Sequence, residues 1–214
     1  MRKRSFNLDD ALLIQRSRTI RAHFLNNLAS FSAFDPDLDA TFANNWLLSI
    51  EECEAHPTDE TTVDQLQQHT DELKEAIKEG FAAAADLEYY VKKAFTGDKE
   101  ILEEFGFNER KKARASTLNV LIWLEVMIHI ASDYAAELAV VNMPPAVLTT
   151  LQTRQQNTVT KEIAQEYFKR IRKRYARKRI IKFNKLYWFF STVNNAAQSV
   201  FYSEKEERQM FDLT

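Results

Sequence analysis

The sequence predicts an all-α fold, a mostly antiparallel bundle of about six or seven helices, on three observations. Glycine and proline are scarce, three and four in 214 residues, so few positions are available to punctuate the chain. The long segments between them repeat apolar residues every three or four positions, and none shows the alternating Val/Ile/Thr-rich pattern of a strand. The run from Leu118 to Val141, LNVLIWLEVMIHIASDYAAELAVV, is apolar in nearly every direction as far as Ala131, with only Asn119, Glu125 and His129 polar. A helix of that kind is surrounded by protein, so Leu118–Val141 is expected as the central helix. Glu125, His129, Asp133 and Glu137 interrupt it before the ~20 apolar residues that a bilayer requires, and it is not read as a transmembrane segment.

Taken in order, Asn7 reads as the N-cap of a first helix from Leu8 to about Ser30, with Asp9 and Asp10 at the positive end of its dipole. Leu13, Ile20, Phe24, Leu28 and Phe31 form its apolar stripe. Pro36 disfavours helix at Asp35, and a second helix follows from roughly Asp39 to Ala55, burying Leu38, Phe42, Trp46 and Ile50. Thr62 is expected to cap a long third helix whose stripe runs from Val63 through Leu73, Phe81 and Leu87 to Ala94. Gly80, followed by FAAAA, suggests close approach of a neighbouring helix. A short helix, Lys99–Glu104, is capped by Asp98 and closed by Gly106, and Asn108 is expected to cap the helix leading to the central one. After Asn142, Pro144 and Pro145 open the next helix, for which the QNTVTK patch near Asn157 offers a break. The last helix is expected to reach Phe201 or Tyr202. Residues 1–203 then read as a single bundle domain and 204–214 as a polar tail.

The stretch Tyr89 to Ser116, YYVKKAFTGDKEILEEFGFNERKKARAS, resembles the helix, Gly-Asp turn, short helix and Gly-Phe junction of uncharacterised bacterial helical-bundle proteins. The resemblance implies a bundle and no particular activity.

Composition narrows the class. A 45 % hydrophobic chain of this length fills one sizeable core or two small ones, which excludes disorder. The single cysteine, Cys53, excludes an intramolecular disulfide and agrees with a reducing, cytoplasmic setting. The opening MRKR is followed by Asp9, Asp10, Arg16 and Arg18, which interrupt any apolar region of a secretion signal. Charge is unevenly distributed. Residues 35–104 carry 19 acidic and 5 basic side chains, net −14, leaving +12 for the rest of a chain whose total is −2.

Two groups of residues carry candidate chemistry. The stretch YFKRIRKRYARKRIIKFNKLYWFF holds ten cations, Lys169, Arg170, Arg172, Lys173, Arg174, Arg177, Lys178, Arg179, Lys182 and Lys185, and no acidic residue lies between Glu166 and Glu204. That density suits the phosphates of a nucleic acid or another polyanion, with Tyr175, Phe183, Tyr187 and Trp188 available to stack on bases. The competing reading is a solvated helix face over a core of Ile171, Tyr175 and Ile181, some cations pairing with Glu72, Glu75 or Glu79. On the central helix, Glu125, His129, Asp133 and Glu137 recur every four residues and form one slowly winding polar ridge. It reads either as an exposed edge with a Glu125–His129 pair or as a partly buried ligand site. Cys53, His56 and His69 flank one turn but fall short of a closed zinc site, and no paired Glu-x-x-His motif for di-iron occurs, so no metal and no cofactor are expected. No phosphate-cradling glycine loop or nucleophile setting is present. The leading expectation is a non-catalytic structural or interaction protein whose partner is unidentified, with another protein as a candidate. Polyanion binding comes second, and an enzyme or ligand site near Glu125 and His129 third.

Overall fold

A computed structural model of the chain describes residues 3–211. All its regular elements are helical, and no strand occurs among the described residues, so the chain is all-α. The chain forms two compact units, Met1–Thr62 with Ile171–Thr214, and Val63–Arg170.

In the first unit, α1 (Asp10–Asn26) starts two residues later than expected, because the Asp9 carboxylate, accepting the Ala11 N–H at 2.8 Å, is the cap in place of Asn7. It breaks at Asn27, whose side-chain amide donates to the His23 carbonyl at 3.1 Å, and α2 (Leu28–Phe34) follows. Helix α3 (Ala40–Glu54) is capped by Asp39, which accepts from Phe42 N at 2.8 Å; that bond holds the Asp39 carboxyl below its usual range. Helices α1 and α3 are antiparallel, since Arg18 pairs with Glu54 while Phe24 meets Phe42 and Trp46. The core is unusually aromatic. Phe24, Phe31, Trp46 and Phe190 are fully buried, and Trp46 stacks on Phe189 at 6.4 Å and 8°. Ser17 Oγ, Ser49 Oγ and Trp46 Nε1 are buried there without hydrogen-bond partners. The segment after Tyr202 carries α10 (Lys205–Gln209), and Phe211 beyond it is fully buried, its ring 5.4 Å from Phe31 and 5.6 Å from Phe201.

Helix α4 (Asp59–Ala94) begins before Thr62. Thr58 Oγ1 accepts the Thr61 N–H at 3.1 Å, whereas the Thr62 hydroxyl donates back to the Asp59 carbonyl and so lies inside the helix. In the second unit α4 continues into the turn at Gly97 and α5 (Lys99–Glu104), capped by Asp98 as expected. Gly106, at φ 68°, supplies the left-handed turn. The chain then tightens into a 3-10 turn, Phe107–Glu109, and α6 (Arg110–Ala113), so Asn108 caps nothing; Ser116, accepting from Asn119 N, starts α7 (Thr117–Asp133).

The expected central helix is shorter and less enclosed than its composition suggested. It ends at Asp133, and Tyr134, anchored by Phe95, Phe105 and a bond to Glu104, separates it from α8 (Ala135–Val140). Val120, Trp123, Leu124, Met127, Ile130 and Ala131 are buried, while Leu118, Ile122 and Val126 are 60 %, 51 % and 41 % exposed.

Helix α9 (Pro145–Val200) is unbroken over 56 residues. The expected break near Asn157 is missing because the hydroxyls of Thr153, Thr158 and Thr160 each donate to the carbonyl four residues back and leave no cap to start a new helix. Within the second unit it runs antiparallel to α4 along a seam of polar contacts. Arg154 pairs with Glu79 at 2.8 Å, Thr158 donates to the Ala76 carbonyl at 3.3 Å, Lys161 pairs with Glu72 at 3.1 Å, and Gln165 donates to Thr70 at 2.9 Å. Gly80 sits beside this seam, where an added Cβ would come within 3.0 Å of Leu124 Cδ1.

Three measurements test this description. Gly80→Ala gains about 0.5–1 kcal/mol of helix propensity, but overpacking against the fully buried Leu124 costs about 1–3 kcal/mol, so denaturant titration should show a net loss of about 1 kcal/mol. Combined with Leu124→Ala the loss should be smaller than the sum of the two single changes, because the deleted methyl is the one that clashes. Cys53 is 2 % exposed, and burial pushes its thiol up to about 12, so a thiol reagent at pH 8 should react only at the rate of unfolding. Fast labelling of native protein would contradict that burial. We propose, finally, that the chain unfolds as a single cooperative domain, because it leaves and re-enters the first unit inside the continuous helices α4 and α9. Calorimetry should then record one transition, and two resolved transitions would divide it into two domains.

Candidate polyanion-binding face

Helix α9 carries the basic stretch along the first unit, and three sides of its environment sort the cations. Phe183, Leu186 and Phe190 are buried and define its inward face. The helix is antiparallel to α3, with Tyr175 edge-on to His56 at 6.0 Å, Lys182 donating to the Glu52 carbonyl at 3.1 Å, and Trp188 and Phe189 against Phe42. Arg179 also turns inward. Its guanidinium pairs with Asp10 at 2.7 Å and Asp59 at 3.3 Å, and Asp10 takes Arg4 on its other oxygen at 2.5 Å. These groups line a cleft of about 310 Å³, in which three carboxylates, those of Asp9, Asp10 and Asp59, face the guanidiniums of Arg4 and Arg179. Its charges answer one another, so it presents no strong field to an anion.

The remaining cations differ. Arg172, Lys173, Arg174, Arg177 and Lys178 have no carboxylate within 4.0 Å among the described residues, whereas Lys185 lies 3.7 Å from Glu52. The acidic partners proposed from sequence are occupied elsewhere: Glu72 by Lys161, Glu75 by Lys78, and Glu79 by Arg154. The Lys161 ammonium holds the Glu72 carboxyl below its ordinary range. Lys169 and Arg170 belong to the second unit, where Lys169 pairs with Glu166 at 2.6 Å.

At 100° per residue, Lys173, Arg174, Arg177 and Lys178 fall within an arc of about 140° opposite the buried face. Ile181 and Trp188 fall near the middle of the same arc, and they are 45 % and 55 % exposed. Of the four aromatics considered for stacking, Trp188 is the open one: Phe183 is buried, Tyr187 is stacked on Phe6 at 5.0 Å, and Tyr175 is half-buried. Ile181, expected in the core, is therefore on the surface. The reason is a registry effect, since three residues beyond Lys178 the helix has turned back through the exposed arc.

The polar ridge of α7 is exposed. Glu125 and Glu137 are open to solvent, and the side chains of His129 and Asp133 are 80 % and 64 % exposed. The close i, i+4 pair is His129 with Asp133, at 3.9 Å, and not Glu125 with His129. The helix break at Tyr134 puts Glu137 on a different helix from the other three. The cleft beside α7 is lined by Ile122, Trp123 and Val126, and neither Glu125 nor His129 lines it. Cys53 and His56 lie in the first unit and His69 in the second, and no group of three or more His, Cys, Asp or Glu with metal-binding geometry occurs among the described residues. No helix among the described residues is long and apolar enough to cross a membrane.

Compared with protein-family models, with curated proteins and with solved structures, the chain matches none. The functional reading therefore rests on this geometry.

Proposed function

We propose that the protein is a non-catalytic interaction module that binds the phosphates of a nucleic acid through the outward face of α9 between Lys173 and Trp188. The observation that carries this reading is the coincidence, on one face, of four exposed cations without carboxylate partners, Lys173, Arg174, Arg177 and Lys178, and two exposed apolar side chains at the centre of their arc. A merely solvated basic face keeps its apolar residues on the other side of the helix. Here Trp188 shows an open ring on the same face, about 15 Å along the axis from Lys178, a combination that suits a strand whose phosphates meet the cations while a base farther along stacks on the ring. A single-stranded nucleic acid fits better than a duplex, since no groove-reading motif accompanies the cations. A cytoplasmic setting and a bacterial source belong to the same reading. They are supported by the lone buried cysteine and by the Tyr89–Ser116 resemblance.

Binding of a labelled single-stranded oligonucleotide tests it. Four phosphate contacts give a slope of log K against log salt of about −3 on single strands. Replacing Lys173, Arg174, Arg177 and Lys178 with Gln should flatten that slope and weaken binding regardless of base sequence. Trp188→Ala should cost about 1–3 kcal/mol without changing the slope. Arg179→Gln, which removes an inward ion pair, should lower thermal stability more than affinity. No detectable binding at low salt would end the proposal, and binding to anionic vesicles but not to oligonucleotides would transfer the face to a lipid surface.

A further inference from the structure

The opposite chemistry occurs in the second unit. On α7, Leu118, Ile122 and Val126 recur every four residues, all three exposed, along about 12 Å of axis at 1.5 Å per residue. They adjoin a cleft of about 360 Å³ whose floor is Trp123. The Trp123 indole is fixed, its N–H donating to the Gly106 carbonyl at 2.8 Å, so the floor is preformed. Single exposed aliphatics are ordinary on a protein surface, whereas a contiguous row beside an aromatic-floored cleft is an interaction surface.

The rim says what it would accept. Glu103, Glu104 and Glu109 line the cleft, and Glu125 borders the row on α7. Against these four carboxylates stands Lys112, already bound to Glu109 at 2.8 Å. Glu103 and Glu125 have no cation within 4.0 Å among the described residues. An anionic lipid or a nucleic acid would be repelled here.

We infer that the α7 groove docks an amphipathic helix of another protein, one that carries aliphatic residues at i, i+4 and i+7 flanked by lysine or arginine. The row of Leu118, Ile122 and Val126 matches the two-turn length over which such a helix places its anchors, and the carboxylate rim pairs with its basic flanks. Binding is separable from the polyanion reading, because it uses a different helix and the opposite charge.

The test uses the full chain and two synthetic 18-residue helical peptides with identical leucine anchors, one flanked by lysines and the other by glutamates, titrated calorimetrically. The basic peptide should bind at least tenfold more tightly than the acidic one. Ile122→Asp should weaken it at least tenfold, and Glu103→Lys with Glu125→Lys should narrow the preference between the two peptides. Because Ile122→Asp adds negative charge, attraction by charge alone would leave the basic peptide bound as tightly or more so, and that result would overturn the proposal. Ile122→Ser serves as the second variant if the aspartate lowers helicity. Replacement of the four outward cations of α9 with Gln should leave peptide binding unchanged; loss of binding there would also overturn it. A sedimentation experiment showing a wild-type dimer that Ile122→Asp converts to monomer would assign the groove to a second copy of the chain and reject a separate partner.

Discussion

Helix α9 has to serve two cores with one unbroken backbone, and much of the rest follows from that constraint. Leu151 belongs to the core around Trp123 and Met127, while Phe183, Leu186, Phe190 and Val193 belong to the core around Trp46. A helix of 3.6 residues per turn holds a straight apolar stripe only if its residues keep that period, and the stretch between these two sets is instead polar and basic. The seam with α4 is accordingly polar, made of ion pairs at Arg154 and Lys161, a bond from Thr158 to the Ala76 carbonyl and one from the Gln165 amide to the Thr70 hydroxyl. Thr158, fully buried, shares its single hydroxyl proton between the Arg154 carbonyl at 2.9 Å and the Ala76 carbonyl at 3.3 Å, so the polar seam leaves it satisfied.

The energetics divide between the two kinds of contact. Exposed pairs such as Lys74–Asp71 and Lys78–Glu75 contribute little, because water screens both partners. Burial of aromatic and aliphatic side chains dominates, at roughly 1.5–3 kcal/mol for each large one removed from water. In the first unit that term also tolerates a cost, since the buried hydroxyls of Ser17 and Ser49 and the Trp46 indole go unpartnered. Small serines at these positions suit the close packing of α1 on α3, where bulkier residues would hold apart the helices that bury Phe24 and Trp46.

The uneven charge of the chain is resolved in part within each unit and in part left for others. Arg154 and Lys161 neutralise the acidic α4 in the second unit, and Arg179 meets Asp10 and Asp59 in the first. What remains unpaired is a cationic arc on α9 and a carboxylate rim beside α7, each accompanied by exposed apolar side chains. Charge of one sign next to uncovered apolar surface is the combination that favours a specific partner over simple hydration.

Periodicity, proline and cap chemistry, all local, determined the helical class, the start of α3 near Asp39, the short helix from Lys99 to Glu104 with its cap at Asp98, and the left-handed turn at Gly106. They also determined the buried stripe of Leu13, Ile20, Phe24 and Phe31. Candidate cations were legible as a run, because like charges adjacent in sequence need no fold to bring them together. Tertiary structure decided the rest. Whether Asn7 or Asp9 caps α1 and whether Thr158 starts a helix or continues one depend on which of several available hydrogen bonds forms, and neighbouring helices make that choice. Leu118, Ile122 and Val126 are as apolar as Leu124 and Met127, so composition counted them all as core. Only the placement of α4, α5 and α6 around α7 covers one side of that helix and leaves the other open. The same holds for the ten cations of α9, since pairing depends on carboxylates brought near from Asp10, Glu52 and Asp59, far away along the chain and adjacent only after folding.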